Sequence, residues 1–256
     1  MKLLPMLSEK NWTAMGMLWL IACIFVCIFF VTIWQGVVQH FASKGTFDEG
    51  TLPFLVFSSL ALHGSILFGT GFYLWINEWS WSETFGFNSP HKLYALLLGV
   101  VAALLFLPVG MVLLDVMTKV LSLMHIESPP QAAVEEFSKT VSLGSRIYLI
   151  VFATVIAPVA EEVFFRGVLY RGLKQIGYPR VALWGTALAF AAIHKSLAIF
   201  VPLFILSLLL SWLYDKTRNL LASIAAHSVF NTLNVILLSQ GDSIQDFFDR
   251  HFHHFS

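Results

Sequence analysis

The chain has 256 residues, of which 57% are hydrophobic and only 12% are charged. Ordinary soluble domains are about 45–50% apolar and about 25% charged, so the composition excludes a soluble globular fold. Fifteen Lys and Arg residues balance fifteen Asp and Glu residues. Because this balance gives no overall positive field, the composition also argues against a nucleic-acid partner.

Long apolar stretches recur along the whole chain, and a membrane-spanning helix needs about 18 or more such residues. Five stretches meet this length and contain no charged residue other than a histidine, namely Ala14–Trp34, Leu52–Ile76, Leu93–Leu114, Leu197–Tyr214 and Leu220–Leu238. Two further candidates are less clean: Ile147–Leu169 contains charged residues, and Val181–His194 is shorter. The sequence therefore predicts an all-α polytopic membrane helix bundle of about seven transmembrane helices, with eight as the alternative.

The chain divides into three parts. Residues 1–146 hold about three spans and a polar loop, in which residues 129–141 predict a short amphipathic helix at the membrane surface. Residues 147–240 hold about four spans, and residues 241–256 are predicted to form an interfacial tail. Lys and Arg residues are more numerous in the loops on one side, which favours a cytoplasmic N-terminus and an outside C-terminus.

Ionisable residues within the spans are candidates for a functional site, because a charge inside a membrane requires a partner or a role. The segment APVAEEVFFRG contains Glu161, Glu162 and Arg166. On a helix, Glu162 and Arg166 share a face, so the sequence predicts an ion pair between them. Glu161 points about 100° away and lacks that partner. Pro158, one turn earlier, predicts a local kink or opening of the backbone.

Two further polar groups follow in the same half of the chain. The segment FAAIH ends at His194, and the segment HSVFN places His227 and Asn231 on one helix face. Gly177-Tyr178-Pro179 predicts a turn, and Glu161 and His194 lie at similar distances on either side of it. They are therefore predicted to face each other across a hairpin, with His227 about 12 Å along a later helix and at a similar depth.

The N-terminal half offers little polar chemistry. His63 is the only ionisable residue of the second predicted span. We expect it to bond one backbone or side-chain group, as a lone histidine in a helix core commonly does. The candidate site is therefore predicted from the C-terminal half alone.

These polar groups allow two mechanisms. Glu161 and His194 can activate a water as general base, while His227 and Asn231 can donate hydrogen bonds to a developing oxyanion. Glu161, His194 and His227 can instead hold a zinc ion, which takes three protein ligands and a water in catalytic sites. The sequence does not contain the HExxH spacing typical of zinc peptidases. From these residues alone, both mechanisms stand.

The segments EEVFFRG, FAAIH and HSVFN fit, in that order, the motifs EExxxR, FxxxH and HxxxN. Over roughly residues 148–238 the chain resembles the family of CAAX prenyl protease 2 and lysostaphin-resistance-protein-A-like proteins, the CPBP intramembrane proteases. The resemblance implies an all-helical bundle whose site is reached from the cytoplasmic side of the membrane.

The resemblance also implies roles for the residues that match the motifs. It implies that Glu161 is the general base, that His194 helps it to activate water, and that His227 and Asn231 bind the scissile carbonyl. The resemblance further implies that three residues shape the site, namely Glu162, Arg166 and Phe190. It favours a mechanism without a cofactor, and the alternative is zinc held by Glu161, His194 and His227.

We therefore expect an intramembrane endopeptidase that acts on a membrane-associated peptide or protein, surrounded by lipids and without a nucleic-acid partner. The alternative is a non-catalytic membrane scaffold of the same fold. A transporter is less favoured, because transporters commonly show two related halves and the polar residues here lie in one half. The compact length and low-charge loops are typical of a bacterial protein, which predicts the inner membrane.

Overall fold

The computed structural model describes residues 11–43, 45–48, 50–128 and 142–239, and the regular structure within these ranges is helical. The helices are α1 (Ala14–Phe41), α2 (Leu52–Ile76), α3 (Trp81–Phe85), α4 (Lys92–Leu123), α5 (Leu143–Gln175), α6 (Pro179–Ala192), α7 (Leu197–Thr217) and α8 (Leu220–Ser239). The all-α prediction is confirmed. The predicted amphipathic helix over 129–141 and the interfacial tail over 241–256 lie outside the described residues.

Six of the described helices are long and apolar enough to cross a membrane, namely α1, α2, α4, α5, α7 and α8. Helix α6 has 14 residues and is about 21 Å long, whereas the hydrocarbon core of a bilayer is about 30 Å thick. The sequence predicted about seven spans, of which Val181–His194 is the shortest. The described chain has six spans of full length and this shorter helix, which ends at a turn over residues 193–196 with Lys195 at a positive φ of 54°.

Large apolar side chains cover the outside of the bundle. On α1, Trp19, Phe25 and Phe30 are each 65% exposed, and on α4 Leu105 is 70% exposed. Contiguous exposure of this kind is rare on soluble monomers, but it is expected where hydrocarbon takes the place of water. The outer surface therefore fits an integral membrane protein.

Helix α4 joins the N-terminal part of the chain to the C-terminal part. It packs mainly on α7 and α8, and a Cβ at Gly99 would lie 2.2 Å from the carbonyl oxygen of Ala222 in α8. Only glycine allows such a close approach of two helix backbones, which is a common device in membrane bundles. Helix α4 therefore contributes one wall of the C-terminal bundle, whereas α1 packs mainly on α2.

The connections at one end of the bundle are bonded to each other, and we name this the first end. It is formed by residues 11–13, 77–91, 171–178 and 214–219. The Trp12 amide donates to the side chain of Gln175 at 2.8 Å, and Arg171 donates to the backbone carbonyl of Thr84. These connections are the ones that the charge distribution predicts on the cytoplasmic side.

Candidate active site

Helix α5 carries both glutamates and is not a regular α-helix. Wider π-helical turns run over Phe152–Ile156 and Val163–Tyr170, and the α-helical residues Ala157–Glu162 lie between them. Such turns inside α-helices are frequent at functional sites. Pro158, which predicted an opened backbone, lies two residues after the first wide turn.

Glu162 is fully buried, and one of its oxygens accepts two short hydrogen bonds. Arg166 Nη1 donates to Glu162 Oε1 from 2.8 Å, and His227 Nδ1 lies 2.9 Å from the same oxygen. The ion pair predicted from the sequence spacing is therefore present, and it includes a histidine of α8. A neutral imidazole that donates from Nδ1 carries its lone pair on Nε2.

Arg166 is also completely buried and binds two more helices. Its Nη2 donates to the hydroxyl of Ser207 in α7 at 2.6 Å and to the Ser207 carbonyl at 3.1 Å. The guanidinium lies 4.7 Å from the centroid of the Phe190 ring of α6. We name Glu162, Arg166, Ser207 and Nδ1 of His227 the ion-pair side of the site. This side connects α5, α6, α7 and α8.

Glu161 faces a different set of groups. Its Oε1 lies 3.4 Å from Nε2 of His63 in α2, and its Oε2 lies 3.9 Å from Nε2 of His227. The side chain is 13% exposed, and Oε2 makes no hydrogen bond within the part of the chain that the structure describes. We name Glu161, His63, His194 and Nε2 of His227 the histidine side of the site.

His194 lies just past the end of α6. Its Nδ1 is 2.7 Å from the carbonyl oxygen of Phe190, so Nδ1 donates there and Nε2 remains as the acceptor. The imidazole is close enough to Glu161 to interact with it electrostatically. The Phe190 ring lies 5.1 Å from the His194 ring and 5.5 Å from the His227 ring. One aromatic side chain therefore contacts both imidazoles.

Asn231 bonds the backbone of α5. Its Nδ2 donates to the carbonyl of Ala153 at 2.9 Å. In the wide turn the Ala157 amide donates to the carbonyl of Phe152, five residues earlier. In the same register, the carbonyl of Ala153 would accept from the backbone nitrogen of residue 158, which is a proline. Proline has no N–H, and the Asn231 amide takes the place of the missing donor.

The structure brings most of the predicted residues into one cluster. Glu161, Glu162, Arg166 and His227 lie together, and Phe190 packs against them. His194 joins through its interaction with Glu161, while Asn231 lies one turn further along α8 and reaches α5. The catalytic roles of these residues stay predictions.

His63 is the site residue that the sequence reasoning set aside. The expectation that it bonds one neighbouring group is confirmed, but that group is Glu161. The two residues are 98 positions apart, and no spacing rule connects them. The only signal in the sequence is that His63 is an ionisable residue inside an apolar span.

Zinc held by Glu161, His194 and His227 was the alternative to a metal-free site. Among the described residues, no three His, Cys, Asp or Glu side chains are arranged so that they could hold one metal ion. The side chains as arranged therefore do not form the predicted three-ligand zinc set.

Comparisons with known proteins agree with the motifs. Residues 143–233 match the family described as Rce1-like, type II CAAX prenyl endopeptidase. The uncharacterized protein YpbD of Bacillus subtilis is 32% identical over 88 residues, which is 33% of this chain and 42% of YpbD. The UPF0177 protein YxdF of Lactococcus lactis is 30% identical over 78 residues, which is 30% of this chain and 42% of YxdF. The chain thus spans less than half the length of these two relatives. No solved structure matches it.

The matched segment runs from the start of α5 into α8. It contains all three motifs and both carboxylates of the cluster, and it leaves out His63. The resemblance predicted from the motifs is therefore confirmed, because residues 143–233 match the Rce1-like CAAX endopeptidase family.

Proposed function

We propose that the protein is an intramembrane endopeptidase that hydrolyses a peptide bond in a membrane-associated peptide or protein. The observation that carries this proposal is the contrast between two adjacent glutamates. Glu162 is held by Arg166 and His227 through short bonds, whereas Glu161 has one long hydrogen bond and lies among histidines. A loosely held carboxylate of this kind can accept a proton, and the family supports peptide-bond hydrolysis.

In this proposal Glu161 is the general base. A water bound between Glu161 and His194 gives a proton to the carboxylate while its oxygen attacks the scissile carbonyl carbon. His194 orients this water through Nε2, because its Nδ1–H is bonded to the Phe190 carbonyl. The proton then passes to the amine nitrogen as the C–N bond breaks, which returns Glu161 to the carboxylate form.

His227 and Asn231 bind the carbonyl oxygen as negative charge develops on it. Donation from Nε2 of His227 requires a ring that is protonated on both nitrogens, and a carboxylate lies beside each nitrogen. The Asn231 amide has two N–H bonds. One donates to the Ala153 carbonyl, and the second is available to the substrate. Loss of one such donor typically lowers kcat by about 100- to 1,000-fold.

We propose that this reaction needs no metal ion or other cofactor. A carboxylate and two imidazoles are sufficient for the proton transfers, and His227 is already bonded to Glu162. A chelator separates this mechanism from the zinc-dependent alternative in an assay of the purified protein. Cleavage continues with the chelator in the metal-free mechanism, whereas in the alternative it stops and returns when Zn²⁺ is added.

The proposed setting is the inner membrane of a bacterium, with the site nearer the cytoplasmic face. The relatives in Bacillus subtilis and Lactococcus lactis support a bacterial protein. His227 lies seven residues after the start of α8, which is about 10 Å from the first end. The basic residues near the first end support a cytoplasmic position for it.

The test of this function is a comparison of membrane proteomes from cells that carry the wild-type protein or Glu161→Gln. This isosteric change removes the base, and general-base catalysis contributes about 100- to 10,000-fold. We expect an uncleaved substrate to accumulate. Glu127→Gln makes the same chemical change at an exposed position, and it should match the wild type.

Two outcomes would contradict the proposal. If no species changes its cleavage state in Glu161→Gln cells, the protein is not a Glu161-dependent peptidase. If Glu161→Gln also supports the cellular phenotype that deletion of the gene abolishes, the non-catalytic scaffold is favoured.

A further inference from the structure

The N-terminal part of the chain contributes one polar side chain to the histidine side. His63 lies in α2, within a π-helical turn over Leu60–Gly64. Its side chain is 13% exposed, and its Nε2 lies 3.4 Å from Oε1 of Glu161. This is the one hydrogen bond that Glu161 makes to a side chain within the described part of the chain.

The position of the His63 ring is fixed by its neighbours. The edge of the ring packs on Phe152 of α5, with the ring centroids 4.8 Å apart and the ring planes at 89°. Phe152 begins the first wide turn of α5. The wide turn of α2 and the first wide turn of α5 therefore meet at this contact. One turn earlier on α2, Ser59 is hydrogen-bonded to the hydroxyl of Tyr148 of α5. These contacts fix the register of α2 on α5.

The surroundings of His63 also indicate its protonation state. Its Nδ1 is buried and has no hydrogen-bond partner among the described residues. An orphaned N–H is rare in a folded interior, whereas an acceptor without a partner is tolerated more often. The ring is therefore neutral with its proton on Nε2, and this proton is donated to Glu161.

A general base must be held in one orientation, because catalytic groups lose efficiency when they deviate by about 0.5 Å or about 10–20° from the productive geometry. Glu161 receives no support of this kind from the ion-pair side, since Arg166 is bonded to Glu162. The bond from His63 holds Oε1. It leaves Oε2, which lies near Nε2 of His227, free to accept a proton from water.

We propose that His63 is a positioning residue for Glu161, supplied to the active site by the N-terminal part of the chain. The inference rests on the proposed function. It adds that α2 is part of the catalytic unit, although the family match begins only at residue 143. A segment that holds the motifs but lacks α2 would therefore be a poor catalyst.

The test compares His63→Gln with His63→Met. The two side chains are similar in length and flexibility, but only the Gln amide can donate a hydrogen bond in place of Nε2–H. Hydrogen-bonded partners that orient the ligands of catalytic metal ions typically contribute about 10- to 100-fold to activity, and we expect an effect of this order for a partner that orients a general base. With the substrate found in the proteome comparison, we expect kcat of His63→Met to fall by this factor and KM to change by less than about threefold, while His63→Gln stays close to the wild type.

Thr70→Val is the matched control for packing. Thr70 is a fully buried polar residue of α2, on the same face as His63 and about 10 Å along the helix. We expect this variant to keep the wild-type kcat. Equal losses in His63→Met, His63→Gln and Thr70→Val would assign a packing role to this face of α2 and overturn the proposal, and so would an unchanged kcat in His63→Met.

An infrared measurement tests the contact without turnover. The difference spectrum between each protein and its Glu161→Gln derivative isolates the carboxylate band of Glu161. We expect this band to shift in His63→Met but not in His63→Gln or Thr70→Val. If Glu161→Gln leaves all cleavage unchanged, the proposed function fails whether or not the band shifts. If Glu161→Gln abolishes cleavage and His63→Met changes neither kcat nor the band, only the positioning proposal fails.

Discussion

The two sides of the candidate active site begin at adjacent residues of α5 and have opposite properties. On the ion-pair side, Glu162 is 0% exposed and accepts bonds of 2.8 and 2.9 Å from Arg166 and His227. On the histidine side, Glu161 is 13% exposed, and its oxygens lie 3.4 and 3.9 Å from nitrogens of His63 and His227. The same chemical group is thus tightly bonded in one position and loosely bonded in the next.

In the proposed function, this difference allows a membrane helix to carry a proton-accepting carboxylate without losing its fold. The ion-pair side joins α5, α7 and α8 through charge-assisted bonds, which are about twice as strong as neutral ones, and Arg166 also contacts the Phe190 ring of α6. The histidine side adds little to stability, and in the proposed function it is the side that accepts the proton. His227 belongs to both sides, because Nδ1 bonds Glu162 and Nε2 faces Glu161. The ion-pair side therefore orients His227, whose Nε2 belongs to the histidine side.

The largest expected effect on stability is on the ion-pair side. Arg166→Met leaves Glu162 and the Ser207 hydroxyl without their cation, and loss of one partner of a buried ion pair typically costs about 3–5 kcal/mol. We expect a loss of this size in the free energy of unfolding, measured by denaturant titration in mixed micelles. Glu161→Gln should change the same quantity by less than about 1 kcal/mol, because it removes one weak bond.

The double variant Glu162→Gln with Arg166→Met sharpens this comparison. It removes both charges, so it should be more stable than Arg166→Met alone, since no uncompensated charge is buried. If Glu161→Gln destabilised the protein as much as Arg166→Met, the ion-pair side would not contribute more to stability than the histidine side, and the proposed difference would be wrong.

The local part of this arrangement could be predicted from the sequence. Glu162 and Arg166 are four residues apart, and helix geometry alone places them on one face. The partners in other helices could not be predicted in the same way. Ser207 is 41 positions from Arg166, and no residue type marks a serine as the acceptor of a buried guanidinium. Pairs of this kind depend on how the helices pack.

The next effect concerns the backbone that carries both sides. Asn231→Ala leaves the Ala153 carbonyl without its donor, and an unsatisfied buried polar group costs about 1–3 kcal/mol. Pro158→Ala restores an N–H that can bond this carbonyl. We therefore expect Asn231→Ala to cost at least about 0.5 kcal/mol less in a Pro158→Ala background than in the wild type, as measured by a double-mutant cycle of unfolding free energies. Additive effects would show that Asn231 does not replace the missing donor.

The role of Asn231 shows why part of the site was not visible in the sequence. The spacing of His227 and Asn231 predicted one shared face, and from it a shared task at the substrate. The sequence predicted an opened backbone near Pro158 but not its register, and in a regular α-helix Pro158 would leave a different carbonyl free. The wide turn over Phe152–Ile156 shifts the register by one residue.

The smallest expected effect is at the first end, where Lys174 and Asp215 form an ion pair of 2.7 Å. The Arg166–Glu162 pair is almost the same length, at 2.8 Å, but the side chains of Lys174 and Asp215 are 29% and 33% exposed. Water and salt screen such a pair, and its typical contribution is about 0–1 kcal/mol. Asp215 would also keep its 2.6 Å hydrogen bond from the hydroxyl of Tyr170.

Lys174→Met should therefore lower the free energy of unfolding by no more than about 1 kcal/mol, and the loss should shrink further when the salt concentration is raised from about 0.1 M to about 1 M. The effect of Arg166→Met should not depend on salt, because ions do not reach a fully buried pair. If Lys174→Met and Arg166→Met lowered the free energy of unfolding equally and with equal salt dependence, the N···O distance of an ion pair would decide its contribution to stability more than its burial does. The difference between the two sides of the active site would then need a cause other than burial.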